Sequence, residues 1–105
     1  MRTVEFRRLL DDTDALRVQF ELERGQVIKF VVQLECRFDD EWTPVVRYDT
    51  AHNFVHRDRL HPYSATVKTE LPVQDYNEAL TFAIRDLVDS WSIYRRRYEE
   101  WLAQR

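Results

Sequence analysis

Residues 26–38, Gln26-Val-Ile-Lys-Phe-Val-Val-Gln-Leu-Glu-Cys-Arg-Phe38, form the longest run of alternating apolar and polar side chains in the sequence. Alternation with a period of two is typical of a strand that buries one face. The pattern places these residues on the apolar face: Ile28, Phe30, Val32, Leu34, Cys36 and Phe38. This strand therefore predicts a sheet with one apolar face that another element must cover.

Shorter patterns on both sides predict further strands over residues 3–10, 15–22, 42–50 and 64–71. The side chains expected on their apolar faces are Val4, Phe6, Leu16, Val18, Phe20, Leu22, Trp42, Val46, Tyr48, Ala65, Val67 and Leu71. Because Pro44 lacks a backbone donor, we expect an edge or a bulge at the start of its strand.

The connection around Gly25 decides the register of two of these strands. A two-residue loop would place Leu22 opposite Val27, and the apolar faces of the two strands would then disagree. A three-residue loop over residues 23–25 keeps those faces together and puts glycine where a left-handed conformation is needed. We therefore predict the three-residue loop here, and a second turn over residues 39–41.

The last third of the chain has the pattern of one long helix. Asp75 is a good N-cap and Glu78 completes a capping box, so the helix is predicted over about residues 76–102. Its apolar stripe comprises Tyr76, Leu80, Ala83, Ile84, Leu87, Val88, Trp91 and Tyr94. At roughly 40 Å it exceeds the roughly 30 Å of a strand. Its last aromatic residues are therefore expected to overhang the sheet and to contact a second copy.

These elements predict one α+β domain over residues 1–105, an antiparallel sheet of about five strands with one long C-terminal helix packed on one face. The opposite face would be polar and carry Arg17, Gln19, Lys29, Gln33, Glu35, Arg47, Asp49 and Lys68. The single cysteine, Cys36, excludes an intrachain disulfide. No stretch has the ~20 apolar residues of a membrane span and the N-terminus has no apolar signal core, so we expect a cytoplasmic protein without membrane contact.

Side chains that could do chemistry concentrate in residues 47–62, a predicted loop or broken strand. The segment reads Arg47-Tyr-Asp-Thr-Ala-His-Asn-Phe-Val-His-Arg-Asp-Arg-Leu-His-Pro62 and contains all three histidines of the chain. One hypothesis is a metal site, because imidazole and carboxylate ligands suit zinc, nickel or non-haem iron. Its ligands would be His52, His56 and His61, with Asp49 or Asp58 as the fourth.

A second hypothesis is cleavage of RNA through its own 2′-hydroxyl without any cofactor. This reaction needs a base, an acid and cations that stabilise the phosphorane, and imidazole titrates near neutral pH. His52 and His56 are the candidate acid and base, and Tyr48 could assist although its parity points to the core. The candidate charge stabilisers are Arg47, Arg57, Arg59 and Lys68.

A third hypothesis gives the same residues structural roles only. Asp49 would cap a turn or hold His52, and His61 would end a loop because a residue before proline avoids helix. Arg57, Asp58 and Arg59 would form a solvated charge cluster of small energetic effect. The protein would then be a non-catalytic interaction module that binds through its polar sheet face or its helix.

The segment from Val46 to Pro62 resembles a group of small, uncharacterised prokaryotic proteins. Their pattern is Arg-Tyr-Asp at a strand end, then Ala-His, His-Arg-Asp and a later His. The chain is also distantly similar to the TumE family of toxin–antitoxin toxins, which carry a comparable Tyr-Asp and a histidine-rich turn on a small α+β domain. Asn53 stands where a glycine would be expected, and asparagine tolerates a left-handed backbone.

The resemblance implies a toxin that acts on RNA or the translation machinery and is neutralised by a cognate antitoxin. By position it points to Tyr48, Asp49, His52 and His56. Our leading hypothesis is therefore a toxin-like protein and metal-independent ribonuclease that forms a homodimer through its helix. The predicted catalytic residues are Arg47, Tyr48, Asp49, His52 and His56, and the predicted binding residues are Arg57, Asp58, Arg59, His61 and Lys68.

Overall fold

The computed structural model describes residues 1–104 as one open antiparallel sheet followed by one long helix. The strands lie in the sheet in chain order: β1 Arg2–Asp11, β2 Asp14–Glu23, β3 Gln26–Phe38, β4 Glu41–Asp49, β5 His56–Arg59 and β6 Val67–Glu70. A one-turn 3-10 helix, Ala51–Asn53, joins β4 to β5, and helix α1 spans Tyr76–Ala103. The predicted α+β fold is confirmed, with six strands because part of the histidine segment is itself a paired strand.

The core lies between α1 and one face of the sheet, mainly over β3 and β4. The alternating apolar positions of the strands supply it, together with the predicted stripe of the helix. Its buried members include Leu16, Val18, Phe30, Val32, Leu34, Cys36, Val46, Tyr48, Leu80, Ala83 and Leu87. Burial raises the pKa of the Cys36 thiol well above its usual range, as expected for a core cysteine.

The two edge strands extend beyond the area that the helix covers. Phe6 on β1 and Val67 on β6 lie on the helix side of the sheet, as predicted, but they are 41% and 38% exposed. The inward prediction for Ala65 is wrong, since this residue precedes β6 and is exposed. One helix spans only about 10 Å across its axis, so it cannot cover six strands spaced by about 4.8 Å.

The hairpin between β2 and β3 has a two-residue turn, so the three-residue prediction is wrong. Arg24 and Gly25 both have positive φ, as a type I′ turn requires, and Leu22 does pair with Val27. A bulge at Ile28 inserts one extra residue into β3 and restores the parity that the short turn would break. Ile28 is consequently exposed, and Val27 packs against the core in its place.

A second bulge confirms the irregularity predicted near Pro44. Pro44 pairs with Glu35 and Val46 with Leu34, so Val45 is the extra residue of β4. Because the bulge shifts parity, Trp42 lies on the outer face of the sheet rather than in the core. The guanidinium of Arg7 stacks over its ring at 4.4 Å from the centroid.

The helix begins where the cap signal predicts, since the Asp75 carboxylate accepts the backbone N–H groups of Asn77 and Glu78. The expected aromatic overhang at its other end is wrong. Tyr98 is buried and stacks on Phe38 with ring centroids 5.3 Å apart, and Trp101 stacks on His61 at 4.4 Å. The homodimer stays a prediction, because the aromatic overhang that was expected to support it is not found in residues 1–104. No helix within residues 1–104 is long and apolar enough to cross a lipid bilayer.

A buried ion pair joins the C-terminal third of α1 to the start of β2. Asp14 is 1% exposed, and its carboxylate accepts a 2.7 Å hydrogen bond from Nη1 of Arg95. The same guanidinium donates to the backbone carbonyls of Thr13 and Arg37 and lies over the ring of Phe38. Arg95 therefore fixes where the helix crosses the turn ends of β2 and β3.

Replacement of Arg95 by methionine should strongly destabilise the fold, because Asp14 would remain as an uncompensated buried charge. We expect Arg95→Met to lower the free energy of unfolding by about 3 kcal/mol, measured by urea denaturation. The exposed neighbour in Arg96→Met is the matched control and should change it by less than about 0.5 kcal/mol. Equal losses in the two variants would contradict the role assigned to this ion pair.

Candidate functional site

The face of the sheet opposite the helix is polar, as predicted, and we call it the outer face. Cross-strand pairing aligns one residue from every strand into a single row: Arg7, Arg17, Gln33, Arg47, Asp58 and Lys68. Glu35 lies beside this row and accepts a hydrogen bond from Arg17 and another from Gln33. Gln33 in turn accepts two hydrogen bonds from Arg47. The outer face is thus a connected polar network.

A histidine between two aspartates forms the most buried part of the outer face. His56 on β5 pairs directly with Asp49 on β4, and Asp58 is two residues further along the same face. The Nε2 atom of His56 is 2.7 Å from Asp49 Oδ1, and its Nδ1 atom is 3.1 Å from Asp58 Oδ1. His56 and Asp58 are each 5% exposed. We call these three residues the carboxylate–histidine cluster.

The two ring nitrogens of His56 have different surroundings. The contact from Nδ1 to Asp58 has hydrogen-bond geometry, whereas Nε2 is buried and has no hydrogen-bond partner despite its short distance to Asp49. A neutral imidazole carries one N–H, so it can donate to only one of two carboxylates. With the N–H on Nδ1, the buried lone pair of Nε2 faces the Asp49 carboxylate, and these two groups could bind a metal ion together. An imidazolium at the same position would instead form an ion pair with the carboxylate.

Two cations border the cluster. The Nζ atom of Lys68 lies 3.3 and 3.2 Å from the two carboxylate oxygens of Asp58, but the lysine side chain is 65% exposed. Arg47 lies directly opposite Asp58 on the neighbouring strand, and its guanidinium donates a hydrogen bond to the side-chain oxygen of Gln33. Because its only described partner is a neutral amide, the positive charge of Arg47 is not neutralised by a contact.

The turn between β4 and β5 carries His52, and within residues 1–104 no contact joins His52 to the carboxylate–histidine cluster. His52 and Asn53 both have left-handed backbones, with φ of 63° and 66°, and their side chains are exposed. Asp49 holds the turn by accepting the backbone N–H of Ala51, as the structural hypothesis expected. A cavity of about 470 Å³ opens beside Asp49 and this turn and also borders Lys29 and Phe30.

Four of the predicted residues lie on the helix side of the sheet. Arg57 and Arg59 alternate with His56 and Asp58 along β5, so their side chains point to the opposite face. Tyr48 is fully buried in the core, in agreement with its parity. His61 stacks on Trp101 and accepts hydrogen bonds from two backbone N–H groups, those of residues 63 and 64. No contact joins His61 to the carboxylate–histidine cluster in the described part of the chain.

Sequence reasoning missed Asp86, which organises the polar contacts beneath the helix. The hydroxyls of Tyr48 and Tyr94 each donate a 2.6 Å hydrogen bond to its Oδ2 atom, and Arg57 donates to the Tyr94 hydroxyl at 3.3 Å. Burial raises the pKa of Tyr48 and the hydrogen bond to Asp86 raises it further, so this phenol stays protonated. An aspartate within an apolar helix stripe was the available signal.

The fold and the site together define a small α+β protein with a buried carboxylate–histidine cluster on the open face of its sheet. The chain belongs to the family described as a domain of unknown function (DUF7718), whose family model matches residues 1–104. No curated protein and no solved structure matches it.

Replacement of Tyr48 by phenylalanine tests the structural role that its surroundings indicate. We expect Tyr48→Phe to lower the free energy of unfolding by about 1–2 kcal/mol, because a hydrogen bond to a partly buried carboxylate is lost. Tyr98→Phe is the matched control, since its buried ring has no hydroxyl hydrogen bond among the described residues. A variant that keeps its stability but loses activity would instead support the predicted catalytic role of Tyr48.

Proposed function

We propose that the chain binds one divalent metal ion through Asp49, His56 and Asp58, and that this centre carries a toxin-like activity on RNA. The observation that supports the metal ion best is the buried Nε2 atom of His56, which has no hydrogen-bond partner but lies 2.7 Å from a carboxylate oxygen. A buried nitrogen without a partner is costly, and a metal ion would supply that partner.

The three side chains lie close enough to reach one ion after a small movement. Their ligand atoms all lie within 4.8 Å of one another. Two ligands bound to one ion at about 2.1 Å are at most about 4.2 Å apart, so with the ion on Nε2 of His56 the Asp58 carboxylate would turn from its contact with Nδ1 towards the ion. One imidazole and two carboxylates suit zinc, manganese or ferrous iron. Three protein ligands also leave a coordination position for water or substrate, as in catalytic sites.

The Asp58 carboxylate would interact with one of two cations, the ammonium group of Lys68 or a bound metal ion. Without metal, the ammonium group of Lys68 pairs with both oxygens of the Asp58 carboxylate. Because the side chain is largely exposed, it can leave Asp58 at little cost when a metal ion binds. Lys68 would then stand beside the metal centre, where a substrate phosphate could bind.

Direct binding measurements test the metal centre. We expect the chelator-treated protein to bind one equivalent of Zn²⁺ or Mn²⁺ in equilibrium dialysis, and Asp58→Asn and His56→Gln to bind at least tenfold more weakly. His61→Gln is the matched control because this histidine lies outside the cluster. Loss of binding in the control alone, or equal binding by all four proteins, would overturn the assignment.

Replacement of Lys68 is expected to strengthen metal binding. Lys68→Met removes a cation that competes for the Asp58 carboxylate, so the metal affinity should rise by several-fold at low ionic strength. The measurement is the same dialysis experiment, with Lys29→Met as the control because Lys29 pairs with Glu21 elsewhere on the outer face. A lower metal affinity in Lys68→Met would contradict this competition.

The RNA-directed part of the proposal rests on the surroundings of the cluster and on the resemblance to toxins. Arg47 has no carboxylate contact, and a cavity of about 470 Å³ adjoins Asp49. A bound metal ion would polarise a phosphate oxygen and activate a water molecule. Arg47 and the released Lys68 would attract the phosphate, and the exposed His52 could transfer protons at the rim. A cognate antitoxin protein would cover this face.

Metal-free acid–base cleavage by His52 and His56 is the second candidate, and the short contact between His56 and Asp49 favours it. A carboxylate next to a histidine orients the ring and stabilises its imidazolium form, as in other acid–base sites. The two candidates share residues but differ in their response to chelators. Only the metal centre requires that chelation abolish RNA cleavage.

Expression in growing cells tests the toxic activity. We expect the wild-type protein and His61→Gln to arrest growth, and His56→Gln at a matched soluble level to permit it. With purified protein and RNA, we expect chelation to abolish cleavage and Mn²⁺ or Zn²⁺ to restore it. Cleavage that survives chelation but is lost in His52→Ala would favour the metal-free candidate. Growth unaffected by the wild-type protein would contradict the toxin proposal and leave metal binding to its own test.

A further inference from the structure

Two arginines on the helix side of β5 have no carboxylate partner. Arg57 and Arg59 are half-buried, and the Nε atom of each is buried without a hydrogen-bond partner. No carboxylate oxygen in residues 1–104 lies within 4 Å of either guanidinium. Half-buried charges are usually paired, because water solvates them poorly there. Two such groups on one strand therefore form a positively charged region beneath the helix.

The residues around Arg57 do not neutralise it. Its Nη1 atom donates a hydrogen bond to the Tyr94 hydroxyl, whose own proton is directed to Asp86. Asp86 already accepts from Tyr48 as well, so its charge is shared by two phenols. The guanidinium consequently interacts with a neutral oxygen rather than with the carboxylate itself.

Arg59 borders a small cavity that a third arginine also lines. The cavity has a volume of about 70 Å³ and lies between β4, β5 and the last turns of α1, with Arg59, Tyr94, Arg97 and Trp101 on its walls. The nearest described carboxylate to Arg97 is that of Glu100 at 3.8 Å, and both side chains are more than half exposed. Such an exposed pair contributes little, so Arg97 remains available to a ligand.

We propose that this cavity is a binding site for a single phosphate group, held by Arg59 and Arg97, with Arg57 on the same face of β5 adding positive charge. Guanidinium groups match tetrahedral oxyanions because their N–H donors form a planar fork. A water molecule occupies about 30 Å³ of liquid, so the cavity has the size of one small oxyanion rather than of a nucleoside. The valine side chains and Trp101 on its walls would limit competition from water.

The phosphate site is independent of the metal centre, although one strand carries both. Side chains of β5 alternate between the two faces, so Arg57 and Arg59 are separated from His56 and Asp58 by the sheet itself. Its ligand is either free phosphate or the terminal phosphate of a larger molecule. These two sources share the same recognition chemistry and can be separated by experiment.

The site can be tested by titrating inorganic phosphate into the metal-free protein. The ionic strength is kept constant with chloride. We expect a saturable rise in the melting temperature of the wild-type protein, which chloride alone does not produce. Arg59→Gln should bind at least tenfold more weakly, because it loses a charge-assisted hydrogen bond. Arg85→Gln, which removes a charge from α1 outside the cavity, is the control and should respond like the wild type.

Two further measurements keep the result interpretable. Without phosphate, Arg59→Gln should melt no lower than the wild type, because it removes an uncompensated charge. His56→Gln should keep the phosphate response, which separates this site from the metal centre. A dinucleotide with a 5′-phosphate that binds more tightly than free phosphate would identify a nucleic-acid end as the source. Equal responses of the wild type and Arg59→Gln, or of phosphate and chloride, would overturn the proposal.

Discussion

The pairing of β4 with β5 is the constraint on which the candidate site depends. It places Asp49 opposite His56 and Arg47 opposite Asp58, so side chains distant in sequence meet on adjacent strands. The register is set by the short connection that contains the left-handed residues His52 and Asn53. A shift of one residue would move His56 and Asp58 into the core and bring the two arginines out. The geometry of the candidate site therefore depends on the conformation of one turn.

The two bulges keep the apolar side chains of neighbouring strands on one face of the sheet. In a sheet that buries one face, every connection must preserve parity, and the tight turn at Gly25 does not. The extra residue at Ile28 restores the parity between β2 and β3. Val45 is the extra residue that does the same between β3 and β4, beside Pro44. The helix then packs on a continuous apolar surface. The buried pair of Asp14 and Arg95 determines where along that surface it lies.

The regular parts of the fold could be predicted from the sequence, since period-two strands and a capped amphipathic helix are local signals. The helix start at Asp75 and the full extent of β3 are examples. Bulges are not visible in a period-two pattern, which explains the misplacement of Ile28 and Trp42. The predicted aromatic overhang failed because the loop that carries His61 folds back on Trp101, a contact of long sequence separation. Strand β5 was not predicted as a separate strand because its alternating pattern is only four residues long.

The same alternation explains why the histidine segment looked like one site in the sequence. Residues 56–59 are His-Arg-Asp-Arg, and a strand sends alternate side chains to opposite faces. On the outer face this yields an imidazole and a carboxylate, which complete a cluster with Asp49. On the helix side it yields two guanidinium groups, which no carboxylate in the described chain neutralises. Groups of opposite charge that are neighbours in sequence are thus kept apart by the backbone. This separation is the physical basis of the two proposed sites, one for a cation on the outer face and one for an anion on the helix side.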